Sequence, residues 1–271
     1  MELFEFADKF RKEYHWSIPQ VTEFYKSWSG YKDELCWAAS WIYRATELEV
    51  HKKKAEGYYR SLQCQYASGP ISWDDKSMIV QLHMAQLFPK NDDYRAIVEK
   101  SANELLFHAK TPKGLLFNEK ISKWGSLRYA ANWAFFLFGA ARLDPPLERA
   151  TDYLELAQGQ LGYMLGDTGR SFVVGFGKNP PRQPHHRSSS CNPLVTADCA
   201  SMGSDTSRPN AFTLFGALVG GPDSQDNYND SRNDYIANEV AIDYNAGFQG
   251  AIAAWKCFAM DEQCWSKRDG R

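Results

Sequence analysis

An excess of positive charge is missing from this chain: 31 Lys and Arg stand against 33 Asp and Glu in 271 residues, a formal net charge of −2. That balance leaves no basic footprint for a nucleic acid and no electrostatic pull toward an anionic membrane. Long apolar runs are missing too, so no segment reads as a membrane span. The opening stretch MELFEFADKFRKEYHW has no basic leader ahead of an apolar core. It is read as an amphipathic helix entered midway, not as a signal peptide. Fixed-period repeats are absent, which argues against an ordinary solenoid. Strand signals are scarce and confined to residues 171–175 and 212–219.

Hydrophobic residues make up 44% of the chain, enough for a core in one large domain or two ordinary ones. Aromatic residues are abundant at 14%, with nine Trp and 14 Tyr. Trp and Tyr carry polar atoms that want partners when buried, so this excess is compatible with carbohydrate binding without proving it. Six Cys are present. Cys191 with Cys199, and Cys257 with Cys264, are close enough in sequence to pair in a secreted protein. Cys36 and Cys64 fall on helical patterns and read as small buried hydrophobes.

Helical periodicity dominates the first two thirds. Residues 33–50 place Leu35, Ala38, Ala39, Ile42 and Ala45 on one face, and 52–63 follows after almost no loop. Further helices are predicted over 74–87, 92–109, 125–143 and 147–165. The 125–143 segment is apolar nearly all round, so burial on most sides is expected. Long helices joined by short turns indicate a bundle, a solenoid or an α/α barrel. Residues 178–209 form one long irregular segment, and such loops are functional or disordered.

Two stretches carry chemistry. Residues 228–246, YNDSRNDYIANEVAIDYNA, set Asp230, Asp234, Glu239 and Asp243 among Tyr228, Tyr235 and Tyr244, with Arg232 as the single cation. Rings stack on pyranose faces, and a partly desolvated carboxyl gains the raised pKa that a general acid needs. The second stretch is SFVVGFGKNPPRQPHHR, residues 171–187. Taken alone, Glu239 could be an exposed helix glutamate, Asp230 a clamp on loop amides, and Tyr244 a core aromatic. The His185–His186 pair suggests metal only with a third ligand, and none has recognisable spacing. Trp41 and Trp133 sit within apolar helix faces and read as core.

At these two stretches the chain resembles glycoside hydrolase family 9, cellulases built on an (α/α)6 barrel. WSGYKDELCWAASWIYRAT (28–46), WDDK (73–76) and WGSLRYAAN (124–132) agree as well, and PHHRSSSC and GALVGGPD are most similar to animal members. The resemblance implies an inverting endo-β-1,4-glucanase with Glu239 as general acid, Asp230 as a second cleft carboxylate, and His185 and Arg187 on sugar hydroxyls. Tyr25, Trp28, Trp124, Tyr129 and Tyr244 match ring positions of the cleft. Ser29, Gly30, Asp33, Glu34 and Asp75 match a calcium site, although Asp33 and Glu34 could simply cap a helix. No cofactor is implied for the reaction itself. The implied partner is cellulose or another β-1,4-glucan, and the implied location is extracellular.

One departure stands out. Family members carry an Asp-x-Gly-Asp segment that supplies the catalytic base, and these 271 residues contain none. The expectation is that residues 1–271 are the C-terminal two thirds of the family's catalytic domain, an (α/α)6 barrel incomplete at its N-terminal helices. Such a chain is expected to be weakly active or to survive as a non-catalytic glucan-binding remnant. A related (α/α)6 enzyme acting on another glycan is a third reading. Asn229-Asp230-Ser231 is formally a glycosylation sequon, expected unmodified inside such a motif.

Overall fold

The computed structural model describes residues 1–66, 69–191 and 208–259, organised as two compact units. The first comprises Met1–Leu105 with Gly139–Ala150, and the second Leu106–Phe138 with Thr151–Arg271. Among the described residues there are helices and isolated bridges but no extended strand, so the chain is all-α.

In the first unit, helices Lys32–Thr46 and Glu49–Ser61 pack around Phe4, Leu35, Ala39 and Ala55. Ile42, Tyr43, Tyr58 and Leu62 close over that cluster. The single helix predicted over 33–50 is broken at residue 47. Glu47 takes a left-handed φ of 56°, Leu48 is extended, and the next helix starts at once. A non-glycine residue in that conformation ends a helix as Gly would, and no composition signal marks it. Ser77–Leu87 is likewise shorter than the predicted 74–87 helix. The Asp75 carboxylate accepts from the Ser77 amide at 2.8 Å, and Asp74 turns back to the Trp28 and Ser29 amides. Asp75 therefore serves the first amide of the helix, and Asp74 the distant 28–29 loop.

Two expectations fail here. Cys36 and Cys64 are not free hydrophobes but a disulfide, with Cα atoms 6.7 Å apart. Helix Lys32–Thr46 and the turn after Ser61 bring together two positions that sequence spacing does not connect. Trp41 is not core: it is 45% exposed and packs, tilted by 34°, at 4.4 Å from the buried His83 ring. Burial, followed by the nearby Arg44 charge, pushes the His83 pKa down to about 4. His83 is therefore a neutral support beneath an exposed ring.

In the second unit, helix Ile242–Ala259 packs on the Ser126–Phe138 part of helix Ser126–Ala141, and residues 151–165 of helix Ala150–Leu165 belong to the same unit. Leu127, Ala130, Ala131, Ala134, Leu137 and Phe138 are buried, as the apolar pattern required, while Phe135 is half-buried. Helices cross closely at Gly247, where a Cβ would meet Asn132 Oδ1 at 2.0 Å. Trp133 is core, as read from sequence. The two strand signals meet each other as one antiparallel bridge, Val173 with Leu218, held by Val174 N to Ala217 O at 2.9 Å. Cys191 and Cys257 are disulfide-bonded, while Cys199 and Cys264 lie outside the described residues, as does 192–207 of the long irregular segment.

Candidate active site

The backbone around Glu239 is fixed before its side chain does anything. Asp234 caps the short helix Tyr235–Asn238 by accepting from Ala237 N. Glu239 then leaves the helix with ψ 143° and pairs on both flanks: His185 N donates to Asn238 O at 2.7 Å, and Val219 bridges Val240. Asn238 is fully buried. It accepts from Tyr228 Oη at 2.5 Å and donates to Asn229 O at 2.8 Å. A buried amide with all its partners in place fixes the turn that presents residue 239.

The Glu239 carboxylate is half-buried. Trp124 Nε1 donates to its Oε2 at 2.8 Å, and Tyr244 Oη donates to the same oxygen at 2.9 Å. Burial raises the Tyr244 pKa well above the usual phenol range against the pull of Arg128, so the hydroxyl keeps its proton. Oε1 receives no hydrogen bond from the described residues. Tyr244 approaches this closely because residue 125 is Gly: a Cβ there would lie 2.9 Å from the Tyr244 ring, and φ is +71°.

Exposed rings line the same neighbourhood. Trp124 is 44% exposed and packs against Tyr235 at 5.1 Å, and Tyr235 packs against His185 at 6.0 Å. His185 Nδ1 lies 2.6 Å from the Arg232 carbonyl oxygen, which can only accept. The proton is therefore on Nδ1, and Nε2 faces outward. His186 Nδ1 accepts from Ser189 N, so the second histidine caps helix Arg187–Ser190. Arg187 is exposed on that helix. Tyr129 accepts from Arg128 Nη2 at 3.1 Å and lies 6.3 Å from the Trp133 ring.

Asp230 stands apart from this group. Its Oδ2 accepts from Arg182 N at 2.8 Å and its Oδ1 from Gln183 N at 3.0 Å. Both oxygens hold loop amides, the clamp that the sequence left open as the alternative for Asp230. Asn238 and Arg128 are the residues that sequence reasoning passed over, while Tyr235 was named among the rings of its stretch without a place in the cleft. Arg128 was within reach: it sits four residues after Trp124, in the first turn of helix Ser126–Ala141.

The remaining sequence candidates belong to the first unit. Tyr25 is 45% exposed, edge-on to Trp73 at 5.1 Å. Trp28 is 76% exposed under Lys26 Nζ at 4.7 Å. The Ser29 amide and hydroxyl are held by Asp74, and the Gly30 carbonyl accepts from Ser27 Oγ at 2.8 Å. Asp33 is 3% exposed; its Oδ2 accepts from Lys76 N at 2.7 Å, and its Oδ1 is buried without a partner. Burial, then the hydrogen bond and charge of Asp33, push the Glu34 carboxyl up to about 8. An orphaned carboxylate oxygen beside a carboxyl reluctant to ionise fits a hard cation. Against that, no three His, Cys, Asp or Glu side chains converge as a metal group among the described residues.

The family description "Glycosyl hydrolase family 9" matches residues 1–252. Endoglucanase A of Bacillus pumilus is 39% identical over 270 residues, covering 93% of this chain and 38% of the relative. The endoglucanase of Dictyostelium discoideum is 39% identical over 268 residues, covering 93% and 34%. The solved endoglucanase of the termite Nasutitermes takasagoensis superposes with a TM-score of 0.87 at 47% identity, covering 95% of this chain and 57% of that one. Clostridium thermocellum CelQ, complexed with cellobiose and cellotriose, gives 0.80 at 33% identity, covering 100% and 45%. The chain thus spans little more than half, or less, of the length of these relatives. The all-α class is observed, and the termite likeness extends the family's (α/α)6 fold to these residues. On the match across residues 1–252 and on these identities, this chain belongs to glycosyl hydrolase family 9.

Proposed function

We propose that these residues carry the proton-donating half of an inverting endo-β-1,4-glucanase acting on cellulose. The observation that carries the reading is the Glu239 carboxyl, with Oε2 fixed by two neutral donors and Oε1 left open beside exposed rings. Glu239 Oε1 gives its proton to the glycosidic oxygen as the C1–O bond breaks. Trp124 and Tyr235 stack on the sugar, and His185 Nε2 and Arg187 hydrogen-bond its hydroxyls. Asp230 acts indirectly, by holding the 182–183 backbone ahead of His185. A second carboxylate, roughly 6.5–9.5 Å from the first, must take a proton from the water that attacks the opposite face. No Asp-x-Gly-Asp is present to supply it, so turnover by the 271 residues alone is reduced by about 10²–10⁴. The cello-oligosaccharides bound to CelQ support a β-1,4-glucan as ligand. The disulfides fit an oxidising, extracellular setting.

The same missing segment favours a second reading, a glucan-binding chain without turnover. Proton NMR of products from cellopentaose separates the two. The α-anomer appearing first is the expected result, binding without release supports the second reading, and the β-anomer appearing first contradicts inversion.

For the first unit we propose structural calcium on Ser29, Gly30, Asp33, Glu34 and Asp75. At free calcium 100-fold above its Kd, binding adds about 2.7 kcal/mol of stability. Chelator should lower the melting temperature of the native chain and leave Asp33→Asn unmoved. No change in the native chain would remove the site.

A further inference from the structure

Arg128 is a buried cation that the reaction does not call for. Only 8% of its surface is exposed, and burial works against its charge; Tyr129, Tyr244 and Asp243 outweigh that and keep its pKa above the usual value. Its Nη1 donates to Asp243 Oδ2 at 2.9 Å. Its Nη2 donates to Tyr129 Oη at 3.1 Å and to the Trp124 carbonyl at 3.3 Å. The guanidinium carbon lies 4.6 Å from the Tyr129 ring centroid and 5.0 Å from that of Tyr244. No hydrogen bond joins Arg128 to Glu239. It grips the two residues that do bond Glu239, one through the backbone and one through the ring face.

That placement has a geometric consequence. Trp124 comes from the loop before helix Ser126–Ala141, and Tyr244 from helix Ile242–Ala259. Their hydrogens meet on one oxygen only if the two elements hold a fixed offset. A planar fork with several donors can span both elements, whereas a lysine ammonium on a flexible stem cannot keep all three directions. Resting on the reading of Glu239 as the proton donor, we propose that Arg128 is a positioning residue, holding Trp124 and Tyr244 so that both donate to Oε2 and Oε1 is left to carry the proton. Asp243 anchors Arg128 from the helix that carries Tyr244.

The test uses the native chain and the indole N–H signal of Trp124 in nitrogen-15 correlation spectra, assigned with Trp124→Phe. A hydrogen bond moves that signal downfield, and Glu239→Ala sets the scale by removing the acceptor. Arg128→Met combined with Asp243→Asn removes the fork without leaving an unpaired carboxylate. The Trp124 signal is expected to move upfield by half or more of the Glu239→Ala displacement, while the other indole signals stay in place. A Trp124 signal that keeps its native position in the double variant overturns the proposal. If the double variant does not fold, Arg128→Lys decides by the same criterion, since it keeps charge and bulk and loses only the fork. A Trp124 signal indifferent to Glu239→Ala itself would remove the Trp124–Glu239 hydrogen bond on which the acid reading rests, together with the proposal, which is a separate outcome from the first.

Discussion

Glu239→Gln lowers hydrolysis of carboxymethylcellulose by about 10²–10⁴-fold, measured on a longer polypeptide in which an Asp-x-Gly-Asp segment precedes these 271 residues. The substitution is nearly isosteric. A glutamine carbonyl still accepts from Trp124 Nε1 and Tyr244 Oη, so the local fold and sugar binding are retained. What is lost is the proton for the departing oxygen, an interaction made only as the bond breaks. The loss should therefore fall on kcat, with KM little changed. Native rates in this variant would remove Glu239 from the role. A loss confined to KM would make it a binding group.

Replacing Cys36 and Cys64 together by Ala is the second large effect. The two close a loop with a sequence separation of 28, for which loop-closure entropy gives about 3–4 kcal/mol. That is a large share of the 5–15 kcal/mol that holds an ordinary domain together. Both sulfurs are buried, so Ala keeps the apolar character of the site and removes the cross-link. At about 2–4 °C per kcal/mol the melting temperature should fall by about 10 °C, and a reductant, which also opens the bonds of Cys191 and Cys257, should lower that of the native chain at least as far. An unchanged melting curve in both experiments would mean that the bond contributes nothing to stability.

Helix faces were legible in the sequence because apolar spacing alone sets them: the burial of Leu127, Ala130, Ala131 and Ala134 follows from the 3.6-residue period. Boundaries were not, because single conformations decided them. Glu47 ends a helix in a left-handed geometry that its side chain does not announce, and Asp74 and Asp75 leave their predicted helix, one to hold loop amides at 28–29 and the other the first amide of the shortened helix. The Cys36–Cys64 pair was hidden because the two positions meet only after helices pack. Trp41 misled because an apolar helix position can still face outward over a neighbouring ring.

The site was legible to different degrees for similar reasons. Glu239 with Trp124 and Tyr244 could be grouped from motif residues, and the structure joins all three on one carboxylate oxygen. The two loop amides that occupy Asp230 could not be seen, since they depend on how residues 182–183 fold back. Nor could the division of labour in His185-His186, which is set by a carbonyl on one ring and a helix amide on the other. Asn238 gave no signal at all: its role comes from burial.

The claim that Glu239 donates the proton is tested most directly by the leaving group. Aryl β-cellobiosides should be compared on the longer polypeptide, with and without Glu239→Gln. Dinitrophenolate departs without a proton, whereas an unactivated phenolate or sugar oxygen needs one. The variant should keep nearly native kcat on the dinitrophenyl substrate and lose about 10² or more on the unactivated one. An equal loss on both substrates would contradict the account.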